Sequence, residues 1–175
     1  MERAVYDERE PRLPMSAVDV VRLLAVMDGI DVWLDGGWGV DALVGEQTRE
    51  HDDLDLVVAR SDVSLLIETL AEEGYEVAKG DLPTCIVLLD PIGRQVDVHP
   101  VEFDESGNGI YAMEEGGTWP YPAHGFKGRG RVLGQEVRCL TPQVQVLCHA
   151  GYELTETDHH DLALLSERLG VSTGS

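Results

Sequence analysis

Two aspartates flank a leucine in the run Asp53-Leu54-Asp55-Leu56-Val57-Val58, and that run reads as a strand with one buried face. Side chains alternate along a strand. Leu54 and Leu56 therefore enter a core, while Asp53 and Asp55 share the opposite face, roughly 6.5–7 Å apart along the backbone. Two carboxylates on one open face repel each other unless a cation sits between them. Hard divalent cations such as Mg²⁺ take carboxylate and phosphate oxygens. Upstream, Gly36-Gly37 follows the short apolar run Val32-Trp33-Leu34. A backbone without Cβ atoms lets a ligand approach closely, and a helix N-terminus just beyond offers free N–H groups to phosphate.

Composition bounds the rest. A chain of 175 residues with 43% hydrophobic residues suits one globular domain, and it can bury roughly 70% of its unfolded surface. The formal net charge is −20. Affinity for nucleic acid comes largely from Lys and Arg neutralising phosphates, so no nucleic-acid partner is expected; the field favours cationic small molecules. No apolar run is long enough to span a membrane. Residues 1–14 lack the apolar core of a secretory signal, so a cytoplasmic location is expected. Cys85, Cys139 and Cys148 share no metal-site spacing and read as reduced core residues. No Ser-His-Asp pattern, Walker loop or Rossmann glycine set is present.

Taken in order, residues 1–15 read as an arm. A helix starts at Ser16, with Asp19 completing a capping box. Strand Val32–Leu34, the Gly36-Gly37 turn and a short helix from Trp38 to Leu43 precede a polar loop and the strand from Asp53 to Ala59. Ser61 is expected to cap the next helix. Strands follow at residues 75–78, 85–89 and 95–101, the last two joined by Asp90-Pro91-Ile92-Gly93. Residues 102–130, rich in glycine and aromatics, read as a long loop with short strands at best. A hairpin is expected across Gly134-Gln135. Thr141-Pro142 opens a helix to about His149, and a last helix runs from Glu156 to Leu169. The order is α+β: a mixed sheet with helices packed on one side, a body of residues 16–140, and a small C-terminal helical lobe of residues 141–175 on the same body.

Asp97 is a third candidate acid. Val96 and Val98 flank it, which turns Asp97 and His99 to the other face of their strand. If that strand lies beside the one from Asp53, Asp97 joins the pair. Asp35 and Asp41 read as a cap or as structural acids.

The string Asp35-Gly36-Gly37-Trp38-Gly39-Val40-Asp41-Ala42-Leu43, then Gln47-Thr48-Arg49 and His51-Asp52-Asp53-Leu54-Asp55, resembles the lincosamide nucleotidyltransferases and their aminoglycoside 2''-adenylyltransferase relatives. These lie within the polymerase-β-type nucleotidyltransferase superfamily. The similarity continues through Val96–Val101, Phe103–Asn108 and His149–Glu153, and ends near Asp158 and Asp161.

The resemblance implies the nucleotidyltransferase fold and an enzyme that transfers a nucleoside monophosphate to a small-molecule hydroxyl. Asp53, Asp55 and Asp97 are then the metal ligands for two Mg²⁺ ions, Asp97 doubles as general base, and ATP or another nucleoside triphosphate is the co-substrate. Gly36 and Gly37 contact phosphate. Arg49 is expected on the triphosphate, or paired with local acids such as Glu50 or Asp52. His99 is expected to orient the base or touch substrate. Tyr111, Trp119, Tyr121 and Phe126 are candidates for the wall of an acceptor pocket. Asp158 and Asp161 either close the cleft or tie down the C-terminal lobe. The resemblance also implies a homodimer. A lincosamide is the expected acceptor and an aminoglycoside the alternative. From a different class, a nucleotide-binding regulator or an antitoxin-like modifier of a partner protein is the alternative function.

Overall fold

The structure is a computed structural model that describes residues 13–174. Residues 1–12 of the arm expected at 1–15 lie outside that range. The arm's last residue, Met15, is fully buried, and its N–H donates to the His51 carbonyl at 2.8 Å.

Helix α1 (Ala17–Val26) begins with the expected capping box, Ser16 and Asp19 satisfying each other's backbone N–H. Strand β1 (Val32–Asp35) runs directly into α2 (Gly36–Val44). This helix starts two residues earlier than Trp38 because the Asp35 carboxylate caps it, accepting the Gly36 N–H at 2.8 Å. Strand β2 (Asp53–Ala59) leads through a 3₁₀ turn (Arg60–Asp62) into α3 (Val63–Glu72). That turn displaces Ser61 from the expected capping position, and α3 has no side-chain cap.

Strands β3 (Glu76–Lys79), β4 (Ile86–Leu89) and β5 (Gln95–Phe103) follow, then β6 (Gly109–Ala112) and β7 (Thr118–Tyr121). The hairpin of β8 (Arg129–Val132) and β9 (Gln135–Arg138) turns at Leu133-Gly134, one residue earlier than expected. Both turn residues have positive φ, as a two-residue hairpin turn with matching twist requires. Helices α4 (Pro142–Cys148) and α5 (Glu156–Leu169) complete the chain.

The main sheet has seven strands, in order β1-β2-β5-β4-β3, with β6 also on β5 and β7 on β6. Only the β2–β5 pairing within it is parallel; the others are antiparallel. Two short strands within the expected 102–130 loop, β6 and β7, thus extend the sheet. Gly109 permits this, since a Cβ there would lie 2.7 Å from the Phe126 ring.

One sheet face buries Leu54, Leu56, Val58, Val96, Val98 and Leu88 against α1 and α3, which contribute Val20, Leu23, Leu66 and Leu70. Each fully buried side chain of this size contributes roughly 1.5–3 kcal/mol. The other face carries the acids. A smaller cluster of Val57, Val101, Tyr121, Leu140 and Val144, packed with Trp33 and Phe126, closes one end of it. Helices α4 and α5 pack on α2. Among the described residues no helix is long and apolar enough to cross a membrane.

A buried polar network joins α2, the loop before β2 and α5. His51 Nε2 lies 2.6 Å from Asp41 Oδ2, and Thr48 donates its N–H and hydroxyl to the same carboxylate. The Thr48 hydroxyl also meets His160 Nε2 at 2.9 Å. Burial pushes the Asp41 carboxyl up, but the hydrogen bonds from His51 and Thr48 outweigh it and leave it below the ordinary value of 3.8. A lowered folded-state pKa stabilises the fold above the unfolded value and is lost as pH falls through the folded one. Asp41→Asn should therefore cost roughly 1–3 kcal/mol at pH 7, by removing the charged acceptor of these buried hydrogen bonds. Denaturant unfolding should show that cost shrinking below about pH 4; a pH-independent loss would remove Asp41's charge from the account.

Candidate active site

In the parallel β2–β5 register, Asp55 pairs with Asp97 and Asp53 with Gln95. All four residues lie on the face opposite the main core. One carboxylate oxygen from each of Asp53, Asp55 and Asp97 lies within 4.8 Å of the other two. Oxygens bound to one divalent ion at roughly 2.0–2.6 Å are about 3–5 Å apart, so this all-oxygen donor set fits a hard cation. Gln95 Nε2 donates to Asp97 Oδ1 at 2.7 Å. Burial raises the Asp55 carboxyl above its ordinary value, and the neighbouring Asp53 charge adds to that.

Gly36 and Gly37 sit directly beside these acids. A Cβ on Gly36, whose φ is +59°, would lie 2.3 Å from Asp55 Oδ2. A Cβ on Gly37 would lie 2.4 Å from both Arg49 Nη2 and His51 Nδ1. The turn is thus pressed against the acids on one side and a basic pair on the other, with the α2 N-terminus behind it.

Arg49 finds its acid far from the local candidates. Its Nε and Nη2 donate to the two Asp161 oxygens at 3.0 and 2.9 Å, and Nη1 donates to the Glu50 carbonyl. Asp161, nearly fully buried, is thereby a tie between α5 and the body. His99 shares its strand face with Asp97 but hydrogen-bonds Asp55, Nε2 to Oδ1 at 3.2 Å. Burial pulls the imidazole down, yet the contacts with Asp55 and Cys85 together outweigh it and hold His99 well above its ordinary value.

Gly36, Gly37, Arg49, Asp53, Asp55 and His99 line a cleft of about 620 Å³, with Asp97 beside Asp53 and Asp55 on the next strand. Tyr111, Met113, Trp119 and Tyr121 of the β6–β7 hairpin form one wall; His149, Tyr152, Thr157, Asp158 and Asp161 form the other. Phe126 is not on the wall. It packs edge-on against Trp33 at 5.0 Å and Phe103 at 4.9 Å, because its 3₁₀ turn faces the back of the hairpin. Asp158 caps α5 from the box Thr155-x-x-Asp158 and accepts from the Tyr152 hydroxyl at 3.3 Å. That capping box was readable in the sequence. Asp35, read only as a cap or structural acid, also accepts the Tyr121 hydroxyl at 3.3 Å and so joins the glycine turn to the hairpin. His51 carries no such signal, since its partner Asp41 is recognisable only once α2 is folded. Burial pushes the Cys148 thiol up, which leaves it without the thiolate a nucleophile needs.

A family model described as aminoglycoside-2''-adenylyltransferase matches residues 18–165. The chain belongs to this family. The enzyme is 34% identical over 133 residues to a lincosamide resistance protein of Staphylococcus haemolyticus, covering 76% of this chain and 82% of that protein. It is 37% identical over 124 residues to a 2''-aminoglycoside nucleotidyltransferase of Escherichia coli, covering 67% and 63% of the two chains. Among solved structures it is similar to a lincosamide antibiotic adenylyltransferase with lincomycin bound. That match has a TM-score of 0.78 and 30% identity, over 89% of this chain and 99% of the other. The fold also matches an aminoglycoside 2''-nucleotidyltransferase in complex with adenylyl-2''-tobramycin, at TM-score 0.70 and 22% identity, over 88% and 89%. The enzyme is a nucleotidyltransferase of α+β architecture.

Proposed function

We propose that the enzyme transfers AMP from ATP to a hydroxyl of a lincosamide-type antibiotic, with Asp53, Asp55 and Asp97 at its catalytic centre. The observation that carries this reading is the convergence of the three carboxylates, with Asp53, Asp55 and the Gly36-Gly37 turn lining the cleft. Asp53, Asp55 and Asp97 would hold two divalent cations. Cations bound there neutralise charge on the triphosphate and polarise the acceptor hydroxyl. Gly36, Gly37 and the α2 N-terminus receive phosphate oxygens, with the exposed part of Arg49 at the same edge. Asp97 takes the acceptor proton as general base. The acceptor oxygen bonds to the α-phosphorus as the bond between the α-phosphorus and its bridging oxygen breaks. Pyrophosphate leaves with that electron pair. His99 holds Asp55 in place.

The acceptor assignment rests on the cleft's two unlike walls. Tyr111, Met113 and Trp119 offer apolar surface to an alkyl chain or ring, and the exposed Asp52 offers a carboxylate to a single amine. The relative of known structure named for lincosamides supports the same choice. An aminoglycoside, with several amines, is the second reading; the net charge of −20 favours it.

Mass spectrometry of lincosamides and aminoglycosides incubated with enzyme, Mg²⁺ and each nucleoside triphosphate tests the proposal. Gain of one AMP on a lincosamide is expected. Gain on aminoglycosides alone would move the assignment to the second reading, and no adduct on any compound would overturn it. Trp119→Ala should raise KM for the acceptor about tenfold, a loss of roughly 1.4 kcal/mol of ring contact. KM for ATP should not change; an equal rise in both would remove Trp119 from the acceptor wall.

A further inference from the structure

We infer that Gln95 is a positioning residue for Asp97, aiming that carboxylate at the cation site. The inference rests on the functional reading above. Gln95 stands two residues before Asp97 on β5, on the same face, and is only 3% exposed. Its neighbours in the sheet are Asp53 on β2 and Leu89 on β4, so its amide lies between the acidic pair and the apolar edge of the floor. From there Nε2 donates to Asp97 Oδ1 at 2.7 Å, a short bond to a charged acceptor. A carboxylate on a strand otherwise rotates about its side-chain torsions. A fixed donor on Oδ1 restricts that rotation in a carboxylate that has an oxygen within 4.8 Å of both Asp53 and Asp55.

Asp55 is held in the same manner from the other side, by His99. The two acids that meet across the β2–β5 pairing thus each have a hydrogen-bond partner on β5, at positions 95 and 99 on either side of Asp97. Partners that orient metal ligands in this way typically change metal affinity or activity by roughly 10- to 100-fold when removed. Gln95 is well suited to the task because it is neutral: it donates to Asp97 without adding charge among three acids, and it cannot compete as an anionic ligand.

The test is Mn²⁺ binding to the nucleotide-free enzyme by electron paramagnetic resonance, alongside steady-state kinetics. The variants are Gln95→Met, which keeps length and loses the donor, Gln95→Asn, which keeps the amide and loses reach, and Asp97→Asn. Gln95→Met should weaken Mn²⁺ binding at least about tenfold and lower kcat by a similar factor, with KM for the acceptor unchanged. Gln95→Asn should fall between it and the wild type. Weakened binding in Asp97→Asn with wild-type binding in Gln95→Met would overturn this inference alone. Wild-type Mn²⁺ binding in Asp97→Asn would overturn the functional reading, and this inference with it. Unfolding of both Gln95 variants would overturn the inference in favour of a packing role, since loss of a positioning contact leaves the strand standing.

Discussion

Asp55→Asn should lower nucleotidyl transfer by at least about 10³-fold, the equivalent of roughly 4 kcal/mol in the barrier, while the fold survives intact. Asp55 is tied to its surroundings on several sides. It lies between Asp35 and Asp97 across its two neighbouring strands, accepts from His99, and has an oxygen pressed against Gly36. An amide there keeps the shape and removes one anionic ligand from a site built on negative charge. Without cations the same change relieves repulsion from Asp53, which already raises the Asp55 carboxyl. Thermal unfolding in a chelator should therefore give a Tm no lower than wild type. Adding Mg²⁺ should raise the wild-type Tm more than the variant's, because only the wild type binds the ion tightly. An active Asp55→Asn variant would end the assignment.

Gly36→Ala carries the second large effect. The new Cβ would occupy the place of Asp55 Oδ2, 2.3 Å away, at a residue whose φ of +59° already disfavours a side chain. The strain is roughly 1–2 kcal/mol, or about 2–8 °C in Tm for a domain of this size. Displacing a catalytic carboxylate is the larger consequence: a shift on the order of 1 Å typically costs about 10²-fold in rate. Gly45→Ala separates the two effects. Gly45 has φ +88° at the end of α2, but nothing lies within 4 Å of its Cβ position. It should lose a comparable amount of stability and retain activity. Equal kinetic losses in both variants would mean that strain alone, rather than contact with Asp55, explains Gly36.

Local features of the chain proved legible where local rules govern. The alternation at residues 53–58 placed Leu54 and Leu56 in the core, and the same rule placed Asp97 opposite Val96 and Val98. The Ser16 capping box and the turn at Asp90–Gly93 likewise depend on neighbours within four residues. What failed depends on distant partners. The β6–β7 hairpin has no clean alternation; Phe126 and the Tyr111–Trp119 cross-strand pair support it, and neither can be inferred from residues 102–130 alone. Arg49 was expected on the triphosphate or paired with local acids such as Glu50 or Asp52; the carboxylate it binds is instead Asp161, 112 positions away. His51 and Asp41 belong together only because α2 folds back over the loop. Adjacency of the strands bearing Asp55 and Asp97 came from the family resemblance, since nothing in either strand encodes its parallel neighbour.

The central claim is that three carboxylates from two parallel neighbours form one cation site at the glycine turn. Anomalous scattering from a crystal grown with Mn²⁺ and a non-hydrolysable ATP analogue tests it most directly. The account predicts a peak bound by Asp53 and Asp55, reached by Asp97, with the triphosphate over Gly36 and Gly37. Manganese bound elsewhere, with these three side chains free of it, would contradict the account.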